Sequence, residues 1–222
     1  MTTSLTIAGL LILLAYLLGS IPTGYWAGKW LKGIDIRQEG SGSTGATNVL
    51  RTLGKSAAIA VLGIDIAKGV VAVGLVRGFY QWISPDLLPE QWQYWLMILT
   101  ATAAVLGHSK SILLNFTGGK SVATSLGVLL VMNPLVALGT LGSFLLMLAI
   151  SRIVSLSSIT GAISVNLLMI GFNQPLPYLL FSGVVGLYVI VRHGSNIERL
   201  LAGTEPKLGQ KLQEESLSTY SK

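Results

Sequence analysis

The chain has 222 residues, 51% of them hydrophobic and only 11% charged, with a mean hydropathy of +0.68; a soluble domain carries about 25% charged residues, so lipid has to coat what polar side chains here cannot. The net charge of +6 resides in Lys and Arg between apolar stretches, the pattern of loops held against anionic lipid rather than of a nucleic-acid binder. No cysteine is present and the only histidines are His108 and His193, which excludes disulfides and thiolate chemistry and argues against a His-rich metal site.

The first charged side chain is Lys29, and Met1-Thr2-Thr3-Ser4 lacks the basic region of a secretory signal. The apolar run over roughly 4–25 is therefore expected to remain as a span. Uncharged runs predict further helices, the form hydrocarbon demands of a backbone, over 56–76 and 92–107. The first of these contains Asp65 and Lys68 at i, i+3, which are costly singly in lipid and are expected to pair or to face a polar interior. His108 ends the second run and reads as a structural hydrogen-bonding residue. The uncharged stretch 121–151 is long for one crossing and tight for two, with Asn133-Pro134 as its turn. The stretch 153–191 accommodates two crossings, turning at Asn173-Gln174-Pro175-Leu176-Pro177. Gly127, Gly139, Gly142, Gly161, Gly183 and Gly186 read as sites of close helix packing.

Charge decides the topology. Segment 27–55 holds Lys29, Lys32, Arg37, Arg51 and Lys55 and is expected inside, whereas 78–91 holds Asp86 and Glu90 and is expected outside. Two crossings within 121–151 then keep Arg152, Arg192, Arg199, Lys207 and Lys211 inside. The expected fold class is an all-α integral membrane protein of about seven transmembrane helices, N-terminus out and C-terminus in. Residues 1–203 form one transmembrane domain, and the polar segment 204–222, with Glu214 and Glu215, a loosely ordered cytosolic tail.

Three polar stretches fall on the cytosolic side of this scheme. From Gly33 to Arg51, Gly40, Gly42 and Gly45 stand among Ser41, Ser43, Thr44, Thr47 and Asn48. Glycines permit the φ > 0 turns that aim backbone N–H groups at an anion, hydroxyls and a carboxamide add neutral donors, and an Arg grips phosphate with two bonds. The spacing fits neither a Walker A loop nor a G-x-S-x-G elbow. From Gly107 to Thr124, Gly118-Gly119-Lys120 directly precedes a predicted helix, whose free N–H groups and dipole suit a phosphate. From Arg192 to Glu205, His193 and Asn196 share one helical side with Arg192 or Arg199, and a histidine can act as base or donor near neutral pH.

Together these blocks resemble the PlsY family, the acyl-phosphate:glycerol-3-phosphate acyltransferases of bacterial membranes. The family's first block looks like D-x-R-x-x-G-S-G-N-x-G-A-T-N-x-x-R, its second like G-H-x-x-P-x-x-x-x-F-x-G-G-K-G-V-A-T and its third like H-R-x-N-I-x-R-L-x-x-G-x-E. The segment Gly19 to Gly24, GSIPTG, also fits. Ser43 departs from the pattern's Asn, Ser111 from its Pro, Ser121 from its Gly and Gly194 from its Arg. The resemblance implies a seven-span bundle in the bacterial inner (plasma) membrane with its active site on the cytosolic face. It implies Ser41, Arg51, Lys120, His193 and Asn196 as catalytic residues, with Gly40, Gly42, Gly45, Thr47, Asn48, Gly118 and Gly119 binding substrate. Glycerol 3-phosphate, acyl phosphate and membrane lipid are the expected partners. No metal, cofactor or acyl-enzyme is expected. A transporter for an organic phosphate is the rival class, disfavoured because the polar residues cluster at one face rather than at mid-membrane.

Overall fold

In hydrocarbon each backbone N–H and C=O needs a partner within the chain, and the fold meets this with helices. The computed structural model describes residues 1–83 and 87–210. Among these, ten α-helices follow one another with no strand beyond an isolated bridge between Ser111 and Thr117. They are α1 (Thr2–Ser20), α2 (Thr23–Lys32), α3 (Ala46–Thr52), α4 (Lys55–Gly78), α5 (Gln93–Ser109), α6 (Val122–Met132), α7 (Pro134–Ser151), α8 (Val154–Gly171), α9 (Leu176–Arg192) and α10 (Gly194–Leu201).

Four stretches are long and apolar enough to cross a membrane: Thr2–Lys32, Lys55–Trp82, Pro134–Ser151 and Val154–Gly171. Leu176–Arg192 becomes a fifth when joined to Gly194–Leu201, from which it is bent by 60°. The architecture is an all-helical integral membrane bundle. Its helices expose large apolar side chains, Leu13, Leu146, Ile150, Leu167 and Val184 among them, as lipid requires.

The predicted runs match helices, with three differences. The first run does not end at 25. After a break at Ile21-Pro22 the helix resumes and carries Lys29 and Lys32 within α2. Proline lacks the N–H a helix needs and crowds the preceding turn, which accounts for the break. Secondly, 121–151 divides at Asn133-Pro134, but unequally. The Asn133 Oδ1 accepts from the N–H groups of Leu135 (2.9 Å) and Val136 (3.1 Å) and Pro134 opens α7, a standard helix start. That leaves α6 with 11 residues, about 16 Å at a rise of about 1.5 Å each, half the hydrocarbon thickness. Thirdly, Gly142 and Gly183 are exposed, and a side chain would meet nothing at 142 and only Asn166 at 3.9 Å at 183, so neither is a site of close packing. Of the segment 78–91, expected to face outward, Asp86 lies outside the described residues.

Helix association in lipid depends on close approach of backbones rather than on the hydrophobic effect. Gly69 of α4 lies against the Thr124 carbonyl of α6, and Gly127 of α6 lies against the Ile66 carbonyl of α4. A reciprocal pair joins α1 to α5, Gly19 on Ala104 and Gly107 on Tyr16. The short α6 thereby becomes the centre of the bundle. Its Val128, Leu129 and Met132 pack with Val76 of α4, Met97 of α5, Val136 of α7, Val165 of α8 and Phe181 of α9.

Candidate functional site

The first polar segment is shaped around one side chain. Asn48, at the start of α3, is 1% exposed. Its Oδ1 accepts from the Ser41 N–H (2.9 Å), while its Nδ2 donates to the carbonyls of Ile36 (3.1 Å), Glu39 (3.0 Å) and Ser43 (2.9 Å). The loop therefore coils around Asn48. Gly40 (φ 57°) cannot carry a Cβ because Asn48 Oδ1 occupies that space. The N–H groups of Ser41, Gly42 and Gly45 are all taken up inside the loop, by Asn48, the Glu39 carbonyl and Ser43 Oγ. Beside these engaged amides the loop presents the side chains of Ser41, Ser43 and Thr47 to the cleft. The α3 helix adds Arg51, four residues beyond Thr47 and so on the same face.

These side chains line a cleft of about 680 Å³, together with Lys120, His193 and Asn196 from the other two segments. All five predicted catalytic residues, and Gly45, Thr47 and Asn48, thus meet at one end of one cavity. Gly40, Gly42, Gly118 and Gly119 do not line it. Gly42 and Gly118 face a second, shallower pocket of about 480 Å³ with Asp35, Arg37, Lys110 and Arg192. Gly118 and Gly119 are instead packed on His108. Their carbonyls accept from Arg192, at 3.4 Å and 3.2 Å, so Arg192 turns away from the cleft that its neighbour His193 lines.

The polar end is a hydrogen-bonded chain of charges. Lys120 Nζ donates to Asn196 Oδ1. Asn196 Nδ2 donates to Glu205 Oε1 (2.6 Å), which also accepts from Ser155 Oγ (2.7 Å), and Arg199 Nε donates to Glu205 Oε2 (2.7 Å). Burial works against the Glu205 carboxylate, but its bonds from Asn196, Ser155 and Arg199 outweigh it and hold the pKa below the ordinary value. Burial lowers the Lys120 ammonium to about 8; Glu205 opposes this, and Arg199, Arg192 and Arg51 add to it. Burial likewise lowers Arg51. Arg51, Lys120 and Arg199 face a single carboxylate, leaving an excess of positive charge suited to an anion.

His193 sits at the bend between α9 and α10, 3% exposed. Its Nδ1 lies 2.7 Å from the Val189 carbonyl, which can only accept, so Nδ1 carries the proton. In the neutral ring Nε2 is then an acceptor.

Beyond its polar end the cleft continues as an apolar arm between α4, α6, α7, α8 and α9, along Leu62, Leu126, Phe144, Val165, Phe181 and Val185. A charged mouth joined to a greasy interior suits a ligand that is anionic at one end and a hydrocarbon chain at the other.

The sequence gives no role to Glu205 or Ser155, yet both bind the chain of charges. The boundary after 203 cuts through the site, since Glu205 and Pro206 are buried and the Leu208 N–H donates to the Arg152 carbonyl (2.6 Å). Within 204–222, residues 211–222, with Lys211, Glu214 and Glu215, lie outside the described residues. Asp65 and Lys68 do pair, at 2.7 Å.

The model of the glycerol-3-phosphate acyltransferase family matches residues 9–203. A glycerol-3-phosphate acyltransferase of Crocosphaera subtropica is 68% identical over 209 residues, covering 94% of this chain and 97% of the relative. One from Rippkaea orientalis is 68% identical over 210 residues, 95% of this chain and 97% of the relative. The crystal structure of PlsY (YgiH), an integral membrane glycerol 3-phosphate acyltransferase, in its glycerol 3-phosphate form superposes with a TM-score of 0.82. It is 39% identical and covers 91% of this chain and 96% of that one. The lysophosphatidic acid form gives 0.78 at 38% identity, covering 90% and 94%.

Proposed function

Because the chain belongs to the glycerol-3-phosphate acyltransferase family, we propose that it moves a fatty acyl group from acyl phosphate to the 1-hydroxyl of sn-glycerol 3-phosphate. The products are 1-acylglycerol 3-phosphate (lysophosphatidic acid) and inorganic phosphate. The observation that carries this reading is the meeting of Ser41, Arg51, Lys120, His193 and Asn196 at the mouth of a cleft with an apolar arm. The arm takes the acyl chain and the mouth takes the two phosphates.

Acyl phosphate is a mixed anhydride with a good leaving group, so positioning and charge neutralisation supply most of the catalysis. Arg51 and Lys120 hold the phosphate of glycerol 3-phosphate, and Ser41 and Asn196 orient the substrates by hydrogen bonds. The hydroxyl oxygen attacks the acyl carbon, the carbon–oxygen bond to phosphate breaks, and phosphate departs with the electron pair. The hydroxyl proton goes to His193 Nε2, which the Val189 bond leaves as an acceptor, or to the departing phosphate.

The same reading sets the protein in a bacterial plasma membrane with seven crossings, N-terminus outside and C-terminus inside. The cations of the three site segments then lie on the cytosolic face, where glycerol 3-phosphate is available. Purified protein in detergent, given palmitoyl phosphate and glycerol 3-phosphate, is expected to form lysophosphatidic acid. Vesicle uptake of glycerol 3-phosphate with no acyl transfer would replace this reading with a transporter. Parallel assays with acyl-CoA and acyl carrier protein donors test the choice of acyl phosphate.

A further inference from the structure

A second polar cluster lies where α1, α2, α4 and α5 meet, and its Asp65 and His108 also line the cleft. Asp65 and Lys68 are 1% and 5% exposed, and His108 8%. Asp65 Oδ1 accepts from Thr23 Oγ1 at 2.6 Å and pairs with Lys68 Nζ at 2.7 Å. Lys68 Nζ also donates to carbonyls at the α1–α2 break, Ile21 at 2.7 Å and Gly19 at 3.4 Å. Its remaining neighbour is His108 Nδ1, at 3.4 Å. His108 Nδ1 also lies 3.6 Å from Asp65 Oδ1, so the ring meets the ion pair on that side.

The other side of the ring meets the second site segment. The imidazole tip, Nε2, occupies the space where a side chain at 119 would stand, and the Gly119 N–H donates to the His108 carbonyl at 3.2 Å. Gly118 is likewise pressed against the His108 carbonyl. Arg192 in turn donates to the carbonyls of both glycines. The turn that ends in Lys120 is therefore clamped between His108 and Arg192.

We propose that the Thr23–Asp65–Lys68–His108 cluster is a positioning unit for Lys120: it fixes the imidazole, the imidazole fixes Gly118-Gly119, and that turn sets where the ammonium meets substrate phosphate. This rests on the reading of Lys120 as a holder of glycerol 3-phosphate. It explains why a charged cluster is kept in the bundle when an apolar one would cost less, and why two successive glycines precede the lysine.

The test is steady-state kinetics on the full chain in detergent. His108→Ala keeps the Asp65–Lys68 pair. It is expected to raise KM for glycerol 3-phosphate ~10-fold through misplacement of Lys120 while leaving KM for acyl phosphate within about twofold. It should also move the alkaline limb of kcat/KM upward, since a loosened Lys120 regains water. Gly119→Ala is expected to be severe in the native background and milder in the His108→Ala background, where its methyl has room. That coupling is a double-mutant signature that a general loss of stability does not produce. Equal rises in both KM values with an unmoved alkaline limb would overturn the proposal. So would additive losses at 108 and 119. Lys120→Ala is the control for the underlying reading. If it leaves KM for glycerol 3-phosphate unchanged, that reading falls and this inference with it, whatever the coupling.

Discussion

The two polar networks are built alike and differ in how they end. Around Asp65, one carboxylate, one ammonium and one hydroxyl pair with each other at the wall of the cleft. Around Glu205, a carboxylate gathers Asn196, Ser155 and Arg199, yet Lys120 and Arg51 add positive charge that the carboxylate does not balance. A balanced network in a lipid-embedded core is a structural joint. An unbalanced one at the mouth of a cleft is a site waiting for an anion. The comparison can be broken by removing the carboxylate from each.

Asp65→Ala is expected to have the largest effect. It leaves Lys68, 4% exposed at its side chain, with an uncompensated charge, at a cost of ~3–5 kcal/mol, read as a large fall in melting temperature in detergent. Glu205→Ala should cost less, about 2–3 kcal/mol, because Arg199 is 32% exposed and water screens part of its loss. Its stability also has a pH signature. With the folded pKa below the ordinary 4.5, the contribution is complete above that value and fades as pH falls through the lower, folded one. Glu205→Gln should remove this acid dependence and cost less than the alanine.

Arg51→Ala separates site from joint, since it should lower kcat/KM for glycerol 3-phosphate by roughly 10- to 100-fold, the weight of charge-assisted hydrogen bonds, with little change in melting. Smaller again is the effect of pH on Lys120, whose value is lowered from 10.5 to about 8. The sign differs between folding and binding. Folding gains as pH rises from about 8 towards 10.5, because the buried ammonium loses an unfavourable charge. Binding loses, because the anion loses its partner. The kcat/KM for glycerol 3-phosphate is expected to fall about tenfold per unit above that pKa. Lys120→Arg should abolish the fall over that range, an arginine staying charged.

The sequence made legible what depends on composition. Uncharged runs locate the spans, Asn133-Pro134 marks a helix start, and Asp65 and Lys68 at i, i+3 are paired as lipid demands. The convergence of Ser41, Arg51, Lys120, His193 and Asn196 was legible only through the spacing of three blocks, because no local signal brings residues from α3 and α10 together. Other features needed the fold itself. Asn48 looks like a ligand contact beside glycines and hydroxyls, and only its burial shows a carboxamide committed to four backbone groups. Glu205 closes the third block yet stands where the polar tail begins, and only its partners from α8 and α10 give it a role. The length of α6 was hidden because 11 residues beside a longer apolar helix form one uninterrupted apolar run.

The departures from the family pattern supply the smallest and sharpest test. Ser111 replaces a proline but donates to the Ser20 carbonyl at 2.6 Å and accepts from the Leu113 N–H at 3.2 Å, so it restrains the turn by bonds instead of a ring. Ser121 replaces a glycine at φ 63°, in the left-handed region that an L side chain occupies at a cost of ~1–2 kcal/mol. Its Oγ donates to the Val105 carbonyl at 2.8 Å, returning ~1 kcal/mol. Ser121→Gly removes both terms and should change stability by less than about 1 kcal/mol, because a more flexible unfolded chain offsets the relieved strain. Ser121→Ala keeps the strain and loses the bond, so alanine should be worse than glycine by about 1 kcal/mol. Glycine above alanine is also the order expected at a helix N-cap such as Ser121, and melting curves of the two variants side by side measure the gap. Alanine as stable as glycine would mean that the backbone at 121 relaxes out of the left-handed region.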